Sequence, residues 1–155
     1  MKKRLKKIVK TVLRTDGEPK DIALAFATGV FIAFFPLPGH TLMALGTAWF
    51  MKLSLAIVFA GTFINNPWTI FLLYGSGLYV GLWVTGRSVS EAGIDWSNLN
   101  AAMLMESAKT LFVPFFIGNL LLGALFSIIG YLSVLKAVVA YRQKRIKIPF
   151  DEGDG

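Results

Sequence analysis

Side chains able to do chemistry are scarce in the apolar part of this chain, and most of them fall in two short clusters. The first is Pro38, Gly39, His40 and Thr41, in the run Phe35-Pro36-Leu37-Pro38-Gly39-His40-Thr41. The second is Asn65, Asn66 and Thr69, in the run Ile64-Asn65-Asn66-Pro67-Trp68-Thr69. Neither holds a carboxylate, and the chain has one histidine and no cysteine. A catalytic triad cannot be assembled by argument from such an inventory, thiolate metal sites and disulfides are excluded, and neither a P-loop nor a G-x-G-x-x-G run occurs. The expectation is a protein that is not an enzyme and carries no cofactor or metal. What hydroxyls, amides, an imidazole and free backbone N–H groups do well is hydrogen-bond an anion.

Each cluster also interrupts an uncharged tract, Ile22 to Met51 for the first and Leu53 to Gly86 for the second. Asn66 suits an N-cap and Pro67 the first helical position, while His40 or Thr41 would open a helix after Pro38-Gly39. Two helix N-termini at the breaks would each present unpaired N–H groups and about half a positive charge. That attracts phosphate above all. Asn119 could complete the pocket, with Lys52 near its mouth. A phosphate-bearing amphiphile, an anionic phospholipid or polyprenyl phosphate, fits such an uncharged donor site. No Asp or Glu lies in the three apolar tracts, so proton or sodium coupling has no obvious carrier. The same residues also admit a purely structural use: Pro36 to Gly39 as a tight hairpin, His40 and Asn119 as packing residues, Asn65 and Asn66 as cap and interhelix glue.

The elements that would position these clusters point to a bilayer. With 55% hydrophobic and 16% charged residues among 155, the chain reads as an all-α integral membrane protein. Its plan is interrupted, re-entrant helical hairpins plus transmembrane helices, preceded by an amphipathic interfacial helix. That first helix, residues 1–15, sets Leu5, Ile8, Val9, Val12 and Leu13 against Lys2, Lys3, Lys6, Lys7 and Lys10, as if lying among anionic headgroups. A membrane domain spans 21–141. Within it 22–51 forms a re-entrant hairpin, because arms of about 14 and 11 residues reach only roughly 21 and 17 Å. A rival path, one helix running through Lys52, would leave a lysine at membrane depth, costing on the order of 3 kcal/mol. A broken crossing at 53–86 follows, then an external polar loop at 87–109, a transmembrane helix at 110–136 and a tail at 142–155 whose Arg142, Lys144 and Arg145 anchor it to the membrane surface.

The net charge of +7 sits at the two ends, beside apolar tracts and without interleaved aromatics, so a membrane face and not nucleic acid is the expected partner. Basic termini around a near-neutral loop place both ends in the cytoplasm of a multi-pass protein. Gly77-x-x-x-Gly81 offers a small-residue face for close helix packing, which suggests a homo-oligomer.

The run Gly29 to His40, followed by Met51-Lys52-Leu53-Ser54 and Asn66-Pro67-Trp68-Thr69, resembles a widespread family of small bacterial membrane proteins of unknown function. Its members share Pro-x-Pro-Gly followed by Gln or His, then Asn-Pro with a following Thr, and some are attached to glycosyltransferase domains. The resemblance covers about Asp21 to Tyr131 and implies a bacterial inner-membrane location without supplying an activity. A looser analogy, in the paired interrupted hairpins, is to the DedA-like lipid translocases, although acidic and arginine residues prominent there are missing near both breaks. The resulting expectation is binding, and movement, of an anionic lipid or lipid carrier. Alternatives are a membrane scaffold for a glycosyltransferase or envelope-assembly partner, and an oligomeric channel for ions or small solutes.

Overall fold

The structure, a computed structural model, describes residues 12, 17–35, 39–64, 68–88 and 101–147. Regular structure among the described residues is helical throughout. The elements are α1 (Pro19–Phe34), α2 (His40–Phe50), α3 (Leu55–Thr62), α4 (Ile70–Thr85) and α5 (Ala101–Lys147).

Most of the helix ends have a local cause. Pro19 opens α1, where its missing N–H costs nothing, with Asp21 in the first turn. Phe35 precedes Pro36 and is extended, so α1 stops at Phe34. α2 starts after Gly39, which takes φ 104°, a conformation open to glycine. α2 closes in a Schellman turn, the Lys52 N–H donating to the Trp49 carbonyl and the Leu53 N–H to Ala48. This turn separates α2 from α3, so no continuous helix runs through Lys52. α4 closes in the same way through Gly86 and Arg87.

Three expectations need adjusting. α4 starts at Ile70 with Thr69 in the cap position, three residues beyond Asn66. α5 starts at Ala101, takes in the short interfacial helix expected near Leu99 to Met105, and runs on past Leu135 for 47 residues in all. Lys136 to Gln143 contains neither Pro nor Gly, and its Lys, Ala, Arg and Gln favour helix, so nothing there ends α5. Pro114 lies inside α5 without ending it. It has no N–H for the Thr110 carbonyl, and the Arg87 guanidinium donates to that oxygen at 3.3 Å. The amphipathic segment lies outside the described residues except for Val12, which is helical and buried in the core with Ile22 and Val138. At that position the apolar stripe faces protein.

α5 is the spine, and its most extensive contacts are with α1 and α4. α1 runs antiparallel to its C-terminal part. Arg142 donates to the Gly17 carbonyl at 2.8 Å, Ser127 to the Ala27 carbonyl at 2.6 Å, and Phe34 stacks on Phe126 at 5.3 Å. α4 runs antiparallel to its N-terminal part: Gly77 meets Asn119 and Gly118, Gly81 meets Pro114, and Arg87 meets Thr110. The α4–α5 interface depends on residues without a Cβ. A Cβ on Gly118 would lie 1.8 Å from the Gly77 carbonyl oxygen, and one on Gly81 1.7 Å from that of Pro114. α3 crosses α1 in similar fashion at Gly61 and Gly29, whose Cα atoms hold the two backbones in contact. α1 and α4 thus lie in series along one helix. Each has 16 residues, about 24 Å, against about 48 Å from Thr110 to Arg142.

One helix, Lys109–Gln143, is long and apolar enough to cross a membrane, with mean hydropathy 2.2 and only 22% of its apolar window buried. The rest of the surface is also unusually apolar. Trp49, Phe50, Trp68, Phe71 and Trp83 are each at least 80% exposed.

Candidate functional site

The two breaks are closed by the same device. At the first, His40 reaches back five residues, its Nε2 2.9 Å from the Phe35 carbonyl oxygen. At the second, the Thr69 hydroxyl reaches back five residues to the Ile64 carbonyl. Aligning these straps also aligns Pro38 with Pro67. The last carbonyl before each break would otherwise lack a helical partner, and a side chain from the helix beyond supplies one. Since a carbonyl can only accept, Nε2 of His40 is the donor in this contact.

The breaks also meet. The Tyr74 hydroxyl, in the first turns of α4, lies 3.5 Å from His40 Nε2. Around this contact the aromatic rings of α5 close in, with Phe115 edge-on to Tyr74 at 5.5 Å and Phe116 edge-on to Phe35 at 5.5 Å. The end of α1 and the start of α4 thus flank the same stretch of α5, from Phe115 to Phe126, near the middle of its apolar part.

Asn119 is fully buried one turn beyond Phe115. Its Nδ2 donates to the Phe115 carbonyl at 2.8 Å, while its Oδ1 has no hydrogen-bond partner and lies against Gly77. The amide wedges between α4 and α5, and among the described residues Phe115 and Tyr74 connect it to His40. Thr41 is exposed in the first turn of α2. Gly39 has no side chain with which to cap α2, and the Thr69 side chain makes no cap bond to α4. Pro38, Asn65 and Asn66 lie outside the described residues.

Lys52 is separated from His40 by the 11 residues of α2, about 17 Å, and is not at the mouth of the break region. Arg142 is bound to the Gly17 carbonyl, which ties the start of α1 to the end of α5. Lys144 and Arg145 fall in the last turn of α5, and Lys2, Lys3, Lys6, Lys7 and Lys10 lie outside the described residues. The glycine face of α4, expected to pack on a second copy, is covered by α5 of the same chain. An oligomer would need another face. Tyr74 is the residue that sequence reasoning missed. Its only signal is a polar-tipped ring soon after the second break, and nothing in the linear order pairs it with His40.

The chain belongs to the bacterial family described as "Uncharacterized protein conserved in bacteria (DUF2062)", whose family model matches residues 2–147. No curated protein and no solved structure matches it.

Proposed function

We propose that this is a multi-pass protein of the bacterial inner membrane that binds an anionic lipid, a phospholipid or polyprenyl phosphate, where the two helix breaks meet, and passes its headgroup across. The observation carrying this proposal is the His40–Tyr74 contact, which joins the breaks midway along the helix long enough to cross a bilayer. Broken backbone at membrane depth is tolerated where it is shielded by protein or lines a water-filled space. The aromatic rings around His40 are such a shield, and the N-termini of α2 and α4 offer donors to a phosphate. The exposed apolar side chains of α2, α4 and α5 suit contact with hydrocarbon and with further copies of the chain in a homo-oligomer. The Arg142–Gly17 bond supports placing both ends of the bundle's chain on one face, the cytoplasmic one by the distribution of basic residues. With no carboxylate from Ile22 to Gly86 or from Thr110 to Leu135, movement would run down the lipid's own gradient.

The straps favour a second reading. His40 and Thr69 already satisfy carbonyls of their own breaks, which is what a chain folded only to hold a partner would need. In that case the protein is a membrane scaffold for a glycosyltransferase or another envelope-assembly protein.

Proteoliposomes loaded with fluorescent phosphatidylglycerol or polyprenyl phosphate separate the two. Lipid movement is expected, with an initial rate at least about tenfold lower in the His40→Ala, Asn66→Ala double variant, a rise of roughly 1.4 kcal/mol in the barrier. No movement with the unaltered chain identifies a scaffold, and ion flux without lipid movement identifies a channel.

A further inference from the structure

The turn between α2 and α3 carries a charge where glycine would be the easier residue. Lys52 has φ 54° and is the one non-glycine at positive φ among the described residues. At the equivalent point after α4 the chain places Gly86, at φ 66° and in the same Schellman turn. A side chain in this left-handed region is disfavoured relative to glycine. Complementing the α2 dipole does not explain it, because a cation at Trp49, Phe50 or Met51 would do so without positive φ. Lys52 is moreover the one charged residue between Asp21 and Arg87, and it is exposed.

The neighbours of Lys52 in this turn line an open groove of about 550 Å³, formed by Leu45, Gly46, Ala48, Trp49, Leu53 and Leu55. Its size falls within the roughly 300–1,000 Å³ of ligand clefts, yet its lining offers almost nothing polar for a small polar ligand to bind. α3 begins beside it. Leu55 is the first residue of α3, and the N-cap Ser54 makes no side-chain cap bond. The positive end of α3 therefore adjoins the apolar groove, and Lys52 is the immediate chain neighbour of its lining residue Leu53. Depth agrees as well: with His40 near the bilayer centre, the ~17 Å of α2 carries Lys52 to about the headgroup boundary of a ~30 Å hydrocarbon layer.

We propose that this groove holds an acyl chain of an anionic phospholipid, with the headgroup phosphate between Lys52 and the first turn of α3. The site is separate from the helix breaks. It rests on the membrane placement proposed above and not on lipid movement at the breaks.

Trp49 reports on the groove once Trp68→Phe, Trp83→Phe and Trp96→Phe remove the other indoles. In vesicles, brominated phosphatidylglycerol should quench Trp49 with an apparent affinity about fivefold higher than brominated phosphatidylcholine, the preference one lysine gives at a membrane surface. Lys52→Gly keeps the turn and removes the charge. It should abolish the preference while leaving the melting temperature in detergent unchanged or higher, and Lys52→Arg should retain the preference. Equal quenching by the two lipids, or a preference that survives Lys52→Gly, overturns the site. Absence of quenching by either lipid overturns the membrane placement itself. In the four-tryptophan chain, native mass spectrometry should count one retained phosphatidylglycerol more than in Lys52→Gly, and equal counts overturn the site independently.

Discussion

At the scale of single residues, Pro114 and Arg87 form a unit that neither residue announces alone. The proline removes a donor from α5, and an arginine from the end of α4 restores it from outside. Arg87→Ala should destabilise the fold by about 1 kcal/mol, the size of an ordinary net hydrogen bond at an exposed site. In a Pro114→Ala background the helix supplies its own N–H, and the effect of Arg87→Ala should shrink towards zero. A double-mutant cycle of denaturation in detergent measures that coupling, and additive losses would refute the compensation. His40 was legible in the sequence as the one titratable group at a break, but its partners were not. Phe35 supplies only backbone, and Tyr74 is 34 residues away, so no spacing rule connects either of them to the ring.

Among the elements, the positions of the breaks could be read from the chain because Pro and Gly act locally: Pro36 stops α1, and Gly39 frees the turn into α2. What the small residues pack against could not. Gly77-x-x-x-Gly81 states that a backbone comes close but not whose, and that backbone belongs to Pro114 and Gly118 of α5. Gly118→Ala should therefore separate α4 from α5 and cost roughly 1–3 kcal/mol, as overpacking does. Gly75 lies in the same helix with nothing within 4 Å of a built Cβ. There Gly75→Ala should be neutral or stabilising by up to about 1 kcal/mol through helix propensity alone. Thermal melting of the two variants in one detergent tests the contrast, and similar behaviour would show that the interface is looser than the geometry requires.

For the molecule as a whole, composition and charge gave the helical class and the apolar surface, while the serial arrangement of α1 and α4 along α5 depends on tertiary contacts that no local pattern encodes. Cysteine labelling in intact cells tests the proposed orientation, since the loop and the α2–α3 turn should face opposite sides. Ser90→Cys should react with an impermeant maleimide and Ser54→Cys should not. Equal protection of both would rule the arrangement out. The spine has one more consequence, in the order of synthesis. α5 leaves the ribosome after α1 and α4, yet both lean on it. Until it emerges, the Gly77 and Gly81 notches have no partner to fill them. The nascent chain therefore passes through a half-assembled stage in which the faces of α1 and α4 that pack on α5 are still uncovered.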